Sequence, residues 1–198
     1  KVDASALPPE VVAGIQNGSI SLTDPQTTLA LLQLNAVVGI KGQVSTTSAG
    51  KLKLDRVGIT CALCHSTVDN SFAMGIGGRL DGYPNRDLDP GAIISLSPSL
   101  TAAQKAVYAS WGKGKFDPRF NHDGLNNPVV IPPAFGLYGL PKVIFTGDGD
   151  VEHESVGPVA YWNRYVAVTE MGGHGKFNDK RTGLNIDNTG GGADLVTD

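Results

Sequence analysis

The residues whose types and spacing can do chemistry lie together in Cys61-Ala62-Leu63-Cys64-His65. Two thiols three positions apart, with an imidazole directly after the second, form the attachment signature of a c-type haem. One helical turn sets Cys61, Cys64 and His65 on one side of the backbone, so two thioether bonds and one iron–nitrogen bond form together without strain. The competing chemistries ask for more than the chain supplies. A zinc site needs two further ligands, and with only two cysteines and four histidines it would have to recruit scattered imidazoles. Dithiol exchange expects a βαβ setting. The expectation is one covalent haem c, with His65 as an iron ligand.

The opposite side of the iron decides between an electron carrier and a ligand-binding haem. The candidates are Met74, Met171, His122, His153 and His174. Met171 is chosen because it ends the helical pattern Val159, Trp162, Tyr165, Val166, Thr169 and is followed by Gly172-Gly173, which lets the backbone turn close to a porphyrin. His174 is its rival within one turn. Met74, nine residues past His65, reads as core filler, and His122 in Asn121-His122-Asp123-Gly124 as solvent-facing.

The elements that position these groups are expected to be short. Residues 1–23 read as an irregular arm with at most one helical turn near Pro9 to Ile15. A helix starts at Thr23-Asp24-Pro25 and ends near Asn35 to Val38. Val37 to Val44 and Lys51 to Ile59 lean to β structure around a small polar stretch, which predicts a hairpin entering the motif. That hairpin is locally basic through Lys41, Lys51, Lys53 and Arg56, with Leu52, Leu54 and Val57 as its apolar face, and reads as a solvated face or as a docking rim for an acidic redox partner. Ser97-Pro98-Ser99 caps a helix expected over Ala102 to Trp111. Trp111 suits either a contact to the haem, its indole N–H donating to a propionate, or plain core packing. Residues 112–157 are dense in Gly, Pro, Asn and Asp around Ile131-Pro132-Pro133-Ala134-Phe135-Gly136, the composition of a segment wrapped around something. The acidic alternation at 148–154 reads as a solvated turn, with calcium as the other reading. The tail after Arg181 is polar and rich in glycine.

After the motif comes Gly75-Ile76-Gly77-Gly78-Arg79-Leu80-Asp81-Gly82, and here the sequence resembles the class I cytochrome c family over residues 58–82. The resemblance implies a mainly α fold of haem-wrapping helices with extensive Gly/Pro-rich loops, the predicted hairpin preceding the motif. It also implies that a backbone carbonyl accepts the proximal imidazole's proton, and it places Arg79 with the haem-binding residues. Gly78 stands where that family has proline, so the carbonyl serving His65 is left open. The Ile131–Leu137 portion loosely resembles the second half of di-haem peroxidase chains, which need a second Cys-x-x-Cys-His that this chain lacks.

Length and composition bound the rest. A chain of 198 residues reads as one domain: an arm, helix and hairpin over 1–58, a haem-binding core over 59–175 and a polar tail over 176–198. A net charge of −3 and 18% charged residues give no footprint for nucleic acid. No apolar run has the length of a transmembrane segment, and the start at Lys1 reads as a mature chain whose leader was removed on export to a periplasmic or extracellular location. The expected function is an exported single-haem cytochrome, not an enzyme, passing one electron between redox partner proteins. The alternatives are a peroxidase-like or gas-binding haem with an open distal site, and a haem subunit of a larger redox complex.

Overall fold

The computed structural model describes residues 1–117, 124–137 and 140, and the backbone of the strands Lys142–Val143, Gly149–Asp150, Gly175–Asp179 and Leu184–Asn188. The chain divides into two compact units, Lys1–Asp89 with Ile131–Ala134, and Pro90–Val130 with Phe135–Asp198. The division does not follow the boundaries read from the sequence: it cuts the 59–175 stretch after Asp89 and returns four residues of it to the first unit.

The first unit opens with β1 (Val2–Asp3), a 3-10 turn (Ala4–Ala6) and α1 (Pro9–Gln16), two full turns where a single one was expected. Asp24 caps α2 (Pro25–Gln33) by accepting from the Gln26 N–H at 2.8 Å, and Pro25 takes the first helical position. Leu31 of α2 joins Leu7 and Ala36 in a buried cluster, with Val11, Val12 and Ile15 of α1 against it. The strands β2 (Ile40–Thr46) and β3 (Leu52–Ile59) form the expected antiparallel hairpin. A carboxamide clamp ties it to α2, because Gln26 donates to the Leu52 carbonyl at 3.1 Å and accepts from its N–H at 2.8 Å.

Register assigns the hairpin's two faces. A Cβ on Gly42 would lie 3.1 Å from Leu32 Cβ, so Ile40, Gly42 and Val44 look toward α2. Their partners Ile59, Val57 and Leu54 share that face, while Lys41, Gln43 and Ser45 share the other with Gly58, Arg56 and Lys53. The register shift beside Gln43 and Val44 leaves Asp55 as the extra residue of a bulge. Beyond the hairpin come α3 (Ala62–His65), β4 (Ser66–Val68), β5 (Ile76–Gly77) and β6 (Arg79–Asp81). β4 pairs with β6, and β5 runs parallel to β1.

In the second unit, α4 (Pro90–Ser95) and α5 (Ala102–Ala109) cross closely at Gly91, where a Cβ would collide with the Tyr108 carbonyl oxygen. Thr101 caps α5 in a reciprocal box with Gln104, so Thr101, and not Ser97-Pro98-Ser99, starts that helix. β7 (Lys115–Phe116) pairs with β8 (Val129–Val130), β9 (Lys142–Val143) with β10 (Gly149–Asp150), and β11 (Gly175–Asp179) with β12 (Leu184–Asn188). The last pair replaces part of the expected 176–198 tail with a hairpin. Its period-two alternation sets Phe177 opposite Ile186.

These elements overturn the mainly α expectation. The fold is mixed, and among the described residues the sheets are two-stranded and the longest helix has nine residues. Glycine and proline are the physical reason. With 26 glycines and 12 prolines, the chain leaves the described helices short. No helix among the described residues is long and apolar enough to cross a membrane.

Candidate functional site

The thiol–imidazole motif is a single turn docked on the hairpin that leads into it. Thr60 donates to the Gly39 carbonyl at 2.9 Å, Leu63 to Thr60 at 2.9 Å and His65 to Cys61 at 3.0 Å. Gly39 has φ +79, and a Cβ there would run into the Leu63 backbone, so only glycine admits this approach. A one-turn helix leaves its last carbonyls without intrahelical partners. Here the segment after β6 supplies them. Asn85 Nδ2 donates to Leu63 O at 3.0 Å, the Asn85 N–H to Cys64 O at 2.8 Å, and the Gly82 N–H to His65 O at 2.8 Å. Asn85 is 6% exposed, so its carboxamide belongs to the interior. Ser66, directly after the motif, donates to Asp81 Oδ1 at 2.6 Å across the β4–β6 pair.

His65 is oriented from far along the chain. Its Nδ1 lies 3.0 Å from the Pro132 carbonyl oxygen, which can only accept, so Nδ1 carries the proton and Nε2 the lone pair. Pro132 precedes another proline, which holds it extended with its carbonyl outside any helix ladder. The strap Ile131–Ala134 is fixed at its other end by Ala134 donating to Gly82 O at 2.8 Å. Burial pushes the imidazole pKa below its ordinary value, and the bond to Pro132 opposes this. The carbonyl left open by Gly78 is therefore Pro132's.

The donor set fits a c-type haem. Cys61 is exposed, Cys64 is half-buried, neither is in a disulfide, and the adjoining imidazole is held in the tautomer that ligates through Nε2. Among the described residues no three His, Cys, Asp or Glu side chains gather as a site for a bare metal ion.

The other predicted residues fare differently. Arg79 Nε donates to Asp81 Oδ1 at 2.7 Å, and the Asp81 carboxyl is held below the usual range by Ser66 first and Arg79 second. Arg79 thus pairs with a carboxylate of its own strand, the one that also accepts from Ser66 across the β4–β6 pair. Trp111 is buried in the second unit, edge-on to Tyr108, and its indole N–H donates to Asn126 Oδ1 at 3.0 Å. That bond takes the donor considered for a propionate, and the residue serves its own unit's core. Met74 is 96% exposed and not core filler, because the tight turn from Ala73 to Ile76, with Gly75 at φ +80, turns it outward. Met171, His122, His153 and His174 lie outside the described residues, as do the helix expected before Met171 and most of the acidic stretch 148–154. Sequence reasoning missed Asn85, Gly82 and Ser66. Only Pro132 carried a signal, an apolar Pro-Pro segment inside an otherwise polar loop. Comparison of the chain with family models, with curated proteins and with solved structures finds no match.

Proposed function

We propose that this is a single-haem c-type cytochrome that passes one electron between redox proteins, the haem held by Cys61, Cys64 and His65. The observation that carries the reading is the His65–Pro132 bond of 3.0 Å, which leaves Nε2 as the ring's ligating nitrogen beside two thiols at attachment spacing. When bound, the haem supplies one-electron chemistry at its iron. The chain's own contributions are mechanical and electrostatic. Each thiol would add across one vinyl group, Asn85 and Gly82 keep the turn that sets their spacing, and the bond to Pro132 acts to raise the imidazole's basicity. In this reading Met171 would be the second protein residue to bind the iron, a thioether that needs no deprotonation and tolerates a wide pH range. Attachment of this kind belongs to exported proteins, and exchange with partners uses the small, short-lived interfaces usual for redox encounters.

Mass spectrometry of the denatured protein tests the attachment: the chain should carry the added mass of one haem and lose it in Cys64→Ala. Oxidised and reduced absorption spectra test the ligation. Met171→Ala should abolish the near-infrared sulfur-to-iron band and open the iron to added imidazole. A denatured chain without haem mass overturns the proposal. A band that survives in Met171→Ala overturns the axial assignment.

A further inference from the structure

We infer that β3 pairs edge to edge with β3 of a second copy of this chain, across a two-fold axis that passes between Asp55 and Arg56. The inference does not depend on the haem. β3 (Leu52–Ile59) lies in a two-stranded sheet, so β2 satisfies one edge, and among the described residues no strand pairs with the other. Every residue from Lys53 to Ile59 is exposed. An edge of that length with its backbone groups in water is a template for another strand. The apolar side chains of β3 are uncovered as well, Val57 at 61%, Ile59 at 54% and Leu54 at 37%, since α2 meets the hairpin at Gly42 and Leu52.

Self-complementarity selects a second copy over a foreign strand. The bulge at Asp55 puts Leu52, Leu54, Val57 and Ile59 on one face and Lys53, Arg56 and Gly58 on the other. Antiparallel pairing about an axis between residues 55 and 56 therefore sets Leu52 against Ile59, and Leu54 against Val57, of the other copy. Lys53 falls opposite Gly58, where a Cβ would meet only open space, so no like charges stand directly opposed. Asp55 falls opposite Arg56, and the symmetry makes that acid–base contact twice. Asp55 also accepts from Lys53 of its own strand at 3.0 Å, and a carboxylate has lone pairs for both cations. In an unbulged strand, residues 54 and 57 would lie on opposite faces, and Leu54 could not meet Val57. The product is a four-stranded antiparallel sheet in the order β2-β3-β3-β2, beyond the marginal stability of a lone hairpin. An eight-residue strand pair stands at the small end of specific interfaces, about 1,200 Å², so the association is weak and concentration-dependent.

Sedimentation velocity of the purified chain, from about 5 µM to about 1 mM, tests the pairing. The mass should rise from one chain toward two, and hydrogen exchange at the β3 amides should slow over the same range while that at the α5 amides does not. Arg56→Asp sets carboxylates opposite each other at both symmetry-related contacts and should raise the dissociation constant about tenfold or more. The exchanged pair Asp55→Arg/Arg56→Asp should bring it back to within about threefold of the parent. Lys115→Glu, in the second unit, should leave it unchanged. A monomer at every concentration, or a dimer indifferent to Arg56→Asp, overturns the inference. So does a loss that the exchanged pair fails to restore. A chain that stays monomeric yet gains β3 protection from an added extended peptide of alternating valine and threonine would assign the edge to a foreign strand and overturn the second copy.

Discussion

Replacing Asn85 by alanine should loosen the attachment turn while leaving the thiols and imidazole in the chain. The side chain is 6% exposed and donates to Leu63 O at 3.0 Å, while its Oδ1 accepts from the Asp87 N–H at a long 3.3 Å. Alanine strands an interior carbonyl, which costs about 1–3 kcal/mol, and the weaker second bond adds little. A central value of about 2 kcal/mol corresponds to roughly thirtyfold faster hydrogen exchange at the Gly82 and Asn85 amides, whose acceptors are His65 and Cys64. Asn85→Asp sharpens the test. A protonated carboxyl can donate to Leu63 O and an ionised one cannot, so the folded pKa is raised above the unfolded value. The stabilisation is present below the unfolded pKa and disappears as pH rises through the folded one. Protection in Asn85→Ala within twofold of the parent, or an Asn85→Asp protein that gains protection as pH rises, would refute the clamp.

Gly39→Ala should destabilise the first unit by about 3 kcal/mol or more, because a positive φ and a collision with the Leu63 backbone act together. Gly58→Ala, with no neighbour within 4 Å of the added Cβ, is its control, and equal melting temperatures for the two would contradict the close approach. The Asp81 carboxyl should titrate below the ordinary aspartate range, and Ser66→Ala should move it back up, since the Ser66 hydroxyl is the larger cause. Its depressed pKa places the associated stability above the unfolded value, to be lost as pH falls through the folded one. A carboxyl-carbon NMR titration unchanged by Ser66→Ala would refute that order of causes.

The motif was legible because its chemistry is local: five consecutive residues specify thiols, imidazole and the turn that aligns them. The hairpin was legible from β propensity, and even its apolar set was, since Leu52, Leu54 and Val57 share a face only because the bulge at Asp55 changes the alternation. The helix over Ala102–Ala109 was visible, but its cap was misplaced by a few residues because Ser97, Ser99 and Thr101 all offer a capping hydroxyl. Propensity failed where tertiary contacts decide. Nothing about Asn85 as a residue type distinguishes a clamp from a surface turn, and Met74 reads as apolar although its turn leaves no interior to enter. The mainly α expectation failed because the resemblance over 58–82 was extended to flanks whose glycines and prolines stop helices early.

The bond between His65 and Pro132 spans 67 residues of sequence, whereas the Leu63–Asn85 clamp spans 22 and the turn itself closes within four. Closing the longer loop costs roughly 4 kcal/mol of chain entropy by the logarithmic scaling, against about 1 kcal/mol for one hydrogen bond. The imidazole therefore cannot recruit the strap by itself. Burial of Ile131 and the Ala134–Gly82 bond must contribute, so the ring is fastened only when the strap is seated. The turn that carries the two thiols closes within the first 85 residues, whereas the imidazole's acceptor, the Pro132 carbonyl, comes from residues 131–134. The proton on Nδ1 is then a marker that the strap of the first unit is seated.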